Sequence, residues 1–104
     1  MIEISAEKKA NNFKVNIKGH AMYSAGEDIL CSAVSILYYS LVAAAEKDAL
    51  VTSLETNTQK GLGEISFSGG RESRGAYKMA LEGFTMLARQ FPENIKIVKT
   101  ERKR

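Results

Sequence analysis

The chain of 104 residues has one cysteine, one histidine and one proline. A lone cysteine excludes an internal disulfide framework and makes the reducing cytoplasm the natural compartment. One His and one Cys cannot build the usual four-ligand structural zinc site without carboxylates or a partner subunit. The start, MIEISAEKK, lacks the apolar run of a secretory signal. The longest mostly apolar run, SAVSILYYSLVAAA, falls short of the ~20 residues a spanning helix needs, so no membrane insertion is expected. No G-x-x-x-x-G-K-[ST] pattern occurs, and the glycines of GLG and SGG read as turns rather than as a phosphate-binding loop. No cofactor is implied. The formal charge is +3, with basic residues scattered except in the tail KTERKR, which permits contact with RNA or an acidic surface without requiring it.

What is present suits one globular domain over residues 1–104 with a modest core, since 44% of the chain is apolar. Ile2 and Ile4 alternate with Glu3 and Ser5, and Phe13, Val15 and Ile17 with Lys14, Asn16 and Lys18, which predicts two strands joined by KKANN. Residues 19–27 carry Gly19, Ser24 and Gly26 and read as a loop. About 20 residues without Gly or Pro follow, from Asp28 to Asp48, and read as a helix. Further strands are expected around Leu50 to Thr56 and around Ile65 and Phe67, linked by the hairpin loop QKGLG. Ala76, Ala80, Phe84, Leu87 and Phe91 recur at helical spacing, Pro92 stops that helix, and Ile95 to Lys99 form a last short strand. The order ββαββαβ, with one apolar face per strand, predicts an α+β two-layer sandwich with both helices on one face of the sheet. The doubled strand-strand-helix unit carries no convincing sequence repeat.

On the first helix, Ile29, Leu30, Ala33, Val34, Ile36, Leu37 and Leu41 form one broad face at 100° per residue. Cys31, Ser35, Tyr38, Tyr39 and Val42 fall on the other side. With little charge before Glu46, that second side calls for cover by a loop, a substrate or a second subunit, and a homodimer is the first expectation.

The only histidine and the only cysteine share the segment GHAMYSAGEDILCSAVS, residues 19–35. An isolated Cys is ordinarily a small core residue, and a loop His a surface one. Cys31, however, lies off the main apolar face and in the first turn of the helix if Asp28 is the N-cap, where the helix dipole and unpaired N–H groups favour a thiolate. Asp28 and Ser35 stand three residues before and four after it and border the sulfur. Asp28 reads equally as a helix cap, and Ser35 as a hydroxyl bonded back to a helix carbonyl. Three functional readings stand open: a nucleophilic thiol, a non-catalytic ribosome- or RNA-binding module, and a redox- or metal-sensing thiol protein.

GHA, a short loop and then G-E-D-I-L-C-S-A-V-S resemble the signature of the bacterial ribosomal-processing cysteine proteases called Prp, and the likeness extends over the whole chain, to the second helix ending in Q-F-P. The resemblance implies a small α+β homodimer that removes the N-terminal extension of a large-subunit ribosomal protein, number twenty-seven, with possible ribosome association. It implies Cys31 as nucleophile and His20 as its base, with Gly19, Asp28 and Ser35 in support. The loop from Ala21 to Gly26, including Tyr23, together with Tyr38, Tyr39 and Val42, would wall a groove for the peptide. A glycine-bearing loop after His20 is expected to act as a lid ordered by substrate.

Overall fold

The computed structural model describes residues 1–19, 28–59 and 61–102, with Asp28 described by its backbone. The strands are β1 (Ile2–Lys9), β2 (Asn12–Lys18), β3 (Val51–Gln59), β4 (Leu62–Gly69) and β5 (Ile95–Arg102). The helices are α1 (Asp28–Lys47) and α2 (Glu72–Gln90). They occur in the order ββαββαβ, as the alternation of apolar residues predicts. One sheet runs β3-β4-β2-β1-β5, with every neighbouring pair antiparallel except β1 and β5.

Strand alternation sets the two layers. Ile2, Ile4 and Ala6, Phe13, Val15 and Ile17, Ile65 and Phe67, and Ile95 are buried and share the face under the helices. Glu3, Ser5, Lys14, Asn16, Glu64 and Ser66 occupy the opposite face, which the helices leave uncovered. Phe13 stacks on Phe67 with ring centroids 5.1 Å apart and meets Tyr77 of α2 at 4.9 Å, tying the sheet to the helix layer.

Two edges differ from the sequence expectation. β5 continues to Arg102, into the charged tail, because β1 pairs with it in parallel as far as Lys9 opposite Arg102. In β3, Val51 and Leu54 are three apart and in a regular strand would face opposite ways. A bulge between Val51 and Ser53 turns both toward the helices.

The helix surfaces also need correction. The inner stripe of α1 is Val34, Tyr38, Leu41 and Ala45, whereas Ile29 and Ile36, expected inside, are 81% and 63% exposed. The apolar face of α1 is broader than the strip of it that packs against the sheet and α2. By length and composition Ile29–Lys47 is sufficient to cross a membrane, where the shorter run read from the sequence was not. Its inner stripe is nevertheless committed to the sheet. In α2, Ala80 and Phe84 are buried as expected, but Phe91 follows the last helical residue with φ −127° and ψ 59° and is exposed.

The N-terminus of α2 receives its cap from a distant residue. Arg71, at the cap position, makes no side-chain cap bond. Instead buried Asp48, just past α1, accepts bonds from the Ser73 N–H at 2.9 Å and the Ser73 hydroxyl at 2.8 Å on one oxygen, and from the Leu50 N–H at 2.9 Å on the other. The Ser73 and Leu50 amides hold its pKa below the usual carboxylate value. A depressed carboxylate stabilises the fold above its unfolded pKa, and that contribution disappears as pH falls through the lower folded value. Asp48→Ala is therefore expected to lower the thermal midpoint at pH 7 by roughly 5–10 °C and to remove part of the wild-type loss on acidification below about pH 4. Melting curves from pH 7 to pH 2.5 measure both.

Candidate active site

The end of the sheet that carries Gly19 gathers residues from three separate parts of the chain. Gly19 closes β2 with φ +86°, and a Cβ built there would come 2.5 Å from the Met1 carbonyl oxygen, so only glycine fits. Its N–H donates to the Gly61 carbonyl at 2.9 Å, in the turn between β3 and β4. The backbone is thereby fixed between the start of β1 and that turn at the residue immediately before His20. The requirement for glycine at position 19 is steric. Gly61, φ +79°, is its anchor, and no local sequence signal couples the two glycines across some forty residues.

The chain re-enters the described structure at α1. Asp28 opens the described part of α1. Cys31 remains in the first turn and is half-buried. Helical side chains lean toward the N-terminus of their helix, which places Cys31, in the first turn, at this end of α1. The helix dipole there favours negative charge. His20, Tyr23 and the rest of the loop from Ala21 to Gly26, as well as the Asp28 side chain, lie outside the described residues.

The flank of α1 on which Cys31 sits follows from its neighbours. Leu37 packs over Gly83 of α2, where an added Cβ would come within 2.7 Å of it. Tyr38 instead reaches the opposite way, its hydroxyl 2.8 Å from Thr58 Oγ1 of β3 and donating to the Glu64 carbonyl of β4 at 2.9 Å. At 100° per residue, Cys31, Ser35 and Val42 lie beside Tyr38, so the thiol faces the β3–β4 side of the helix. Ser35, one turn on from Cys31, is half-buried on the same flank.

Of the two helix tyrosines expected to wall the groove, only Tyr39 is open, at 52% exposure. Tyr38 is 3% exposed, and its ring lies against Gly63, where an added Cβ would meet the ring at 3.1 Å. It is a core residue with a satisfied hydroxyl, and the expectation that it lines the groove is corrected. Tyr38→Phe is expected to cost about 1 kcal/mol of stability through its lost hydrogen bonds and to leave substrate KM unchanged. Urea denaturation and steady-state kinetics check the two halves separately.

The sequence matches the family model for cysteine protease Prp over residues 1–96. No curated protein matches it. Among solved structures the chain is similar to SMU.848 from Streptococcus mutans, with 29% identity and a TM-score of 0.74 over 98% of this chain and 99% of that one. It is also similar in fold to the essential ribosomal processing protease Prp from S. aureus. The form in complex with a substrate peptide gives 17% identity and a TM-score of 0.72, over 95% of this chain and 99% of that one. The form with a covalently linked product peptide gives 19% identity and 0.74 over the same shares. With the family model matched from residue 1 to residue 96, and the fold shared along nearly the whole length, the chain belongs to the Prp family of cysteine proteases.

Proposed function

We propose that this chain is a cytoplasmic cysteine endopeptidase that removes the N-terminal extension of a large-subunit ribosomal protein, number twenty-seven, with Cys31 as nucleophile and His20 as base. The observation that carries the reading is the placement of Cys31 in the first turn of α1, half-buried at the helix N-terminus beside the loop that carries the only histidine in the sequence. Family membership supports the chemistry, and the peptide complexes of the S. aureus protease support a ribosomal precursor as substrate.

The steps follow from the residue types. His20 takes the Cys31 proton, and the thiolate attacks the scissile carbonyl carbon to give a tetrahedral oxyanion. Amide N–H groups in the first turn of α1 are placed to stabilise that charge. Collapse breaks the C–N bond as His20 returns the proton to the leaving amine, which leaves a thioester on Cys31. Water, deprotonated by His20, then attacks the thioester and releases the carboxylate and the thiol. Tyr39 and Val42, with the loop from Ala21 to Gly26, supply the walls that select the peptide. The test is a synthetic peptide spanning the extension junction of the ribosomal protein from the same genome. Mass spectrometry is expected to show two fragments with the wild type and none with Cys31→Ala, and an intact peptide with both proteins sinks the reading.

A second copy of the chain is the partner that covers α1. Ile29 and Ile36 are exposed on the outer side of α1, whose residues from Ile29 to Ala45 carry no charge. Sedimentation is expected to give a dimer at micromolar concentration, and Ile36→Asp a monomer.

A further inference from the structure

A cleft of about 320 Å³ lies between α2 and the C-terminal ends of β1 and β5. Those strand ends are opposite the end of the sheet where Gly19 meets Met1 and α1 begins, so the cleft is remote from Cys31. Its lining joins three elements: Lys8 from β1, Lys99, Thr100 and Glu101 from β5, and Tyr77, Lys78 and Leu81 from α2. Strand alternation explains two of the lysines. Lys8 continues the face of Ile4 and Ala6, and Lys99 continues that of Ile95 and Ile97, so both project toward the helix layer where α2 ceases to cover the sheet.

The charge in the cleft is unbalanced. Among the described residues Glu101 is its only lining carboxylate, and it is already paired with Lys8 at 3.1 Å. Lys99 reaches a neutral hydroxyl, Thr85 Oγ1, at 3.4 Å, and no carboxylate among the described residues forms an ion pair with it. Arg102 ends β5 beside Lys9, and Arg74, one turn before Lys78 on α2, bonds to Asn11 at the neighbouring turn at 3.2 Å, so positive charge continues past the rim. The Tyr77 hydroxyl, its pKa raised by burial and by the charges of Glu101 and Glu7, stays a neutral group. A lysine placed to protect a strand edge needs no companions. Here three lysines from three elements meet around one concavity.

We propose that this cleft binds the phosphate backbone of RNA, with the ammonium groups of Lys8, Lys78 and Lys99 on the phosphates. A phosphodiester chain can enter a concave cleft and follow the charge outward to Arg74 and Arg102, and backbone contacts of this kind need no base-specific groups. An anionic membrane instead favours a flat basic face with apolar side chains to insert, and the cleft lining offers only half-buried Leu81 for that. The site works independently of the thiol, so it would hold the protease on a ribonucleoprotein while Cys31 remains accessible.

Fluorescence anisotropy with a labelled RNA hairpin, across a salt series, tests the proposal. The wild type is expected to bind with an affinity that falls linearly in log[salt]. The triple variant Lys8→Gln, Lys78→Gln, Lys99→Gln is expected to bind at least about tenfold more weakly and to reduce the slope by about two to three. Glu101→Gln is expected to bind more tightly, a gain that misfolding cannot produce. Peptide cleavage should be unchanged in all variants, so failure of RNA binding and failure of the protease reading are separately visible. Equal RNA affinity of wild type and triple variant, or binding to phosphatidylserine vesicles but not to the hairpin, overturns the proposal.

Discussion

Cys31→Ser and His20→Ala are each expected to lower cleavage of the junction peptide by at least about 10³-fold while leaving the thermal midpoint close to wild type. The size of the loss follows from covalent catalysis, in which the nucleophile and its base act as a unit, so removal of either costs nearly as much as removal of both. The double variant should therefore be little worse than either single one. The retained stability follows from position. Cys31 is half-buried at the start of α1 and outside the inner stripe of Val34, Tyr38, Leu41 and Ala45. A serine there changes one atom without opening a cavity. Activity within tenfold of wild type in either single variant would remove that residue from the mechanism, and a large stability loss in Cys31→Ser would make the cysteine a packing residue.

The largest stability effect is expected at Phe84. It is fully buried in the middle of α2, in one stripe with Ser73, Tyr77 and Ala80, and belongs to the core that joins helices and sheet. Phe84→Ala removes a ring from a position with no solvent to refill it, at a cost of about 3–5 kcal/mol. A domain of this size commonly has about 5–15 kcal/mol in total, so the variant should be partly unfolded or melt far below the wild type. Met86, two residues on and exposed, serves as the contrast: Met86→Ala should stay within about 0.5 kcal/mol. Urea denaturation of the two variants measures the difference, and equal midpoints would contradict the packing described.

The element order, the two-layer architecture and the position of Cys31 were legible because each rests on local chemistry. Period-two alternation in β1, β2 and β4 puts Ile4, Val15 and Ile65 on the apolar face of their strands whatever the strand order, and the long run without Gly or Pro after the glycine-bearing loop marks a helix start before Cys31. The motif from Gly19 to Ser35 carried the family for a similar reason, since its residues lie close in the chain. Tertiary structure alone decided what depends on partners distant in sequence. Ile29 and Ile36 are as apolar as Val34, and only the seat of α1 on the sheet and against Gly83 determines which of them is covered. Tyr38 reads as a surface aromatic until Thr58 and the Glu64 carbonyl supply partners for its hydroxyl inside the core. Asp48 as the cap of α2, Gly61 as the anchor of Gly19, and the meeting of Lys8, Lys78 and Lys99 each join residues separated by tens of positions. A periodic pattern fixes which way a side chain points from its own backbone, whereas what it meets there is set by the packing of the other elements.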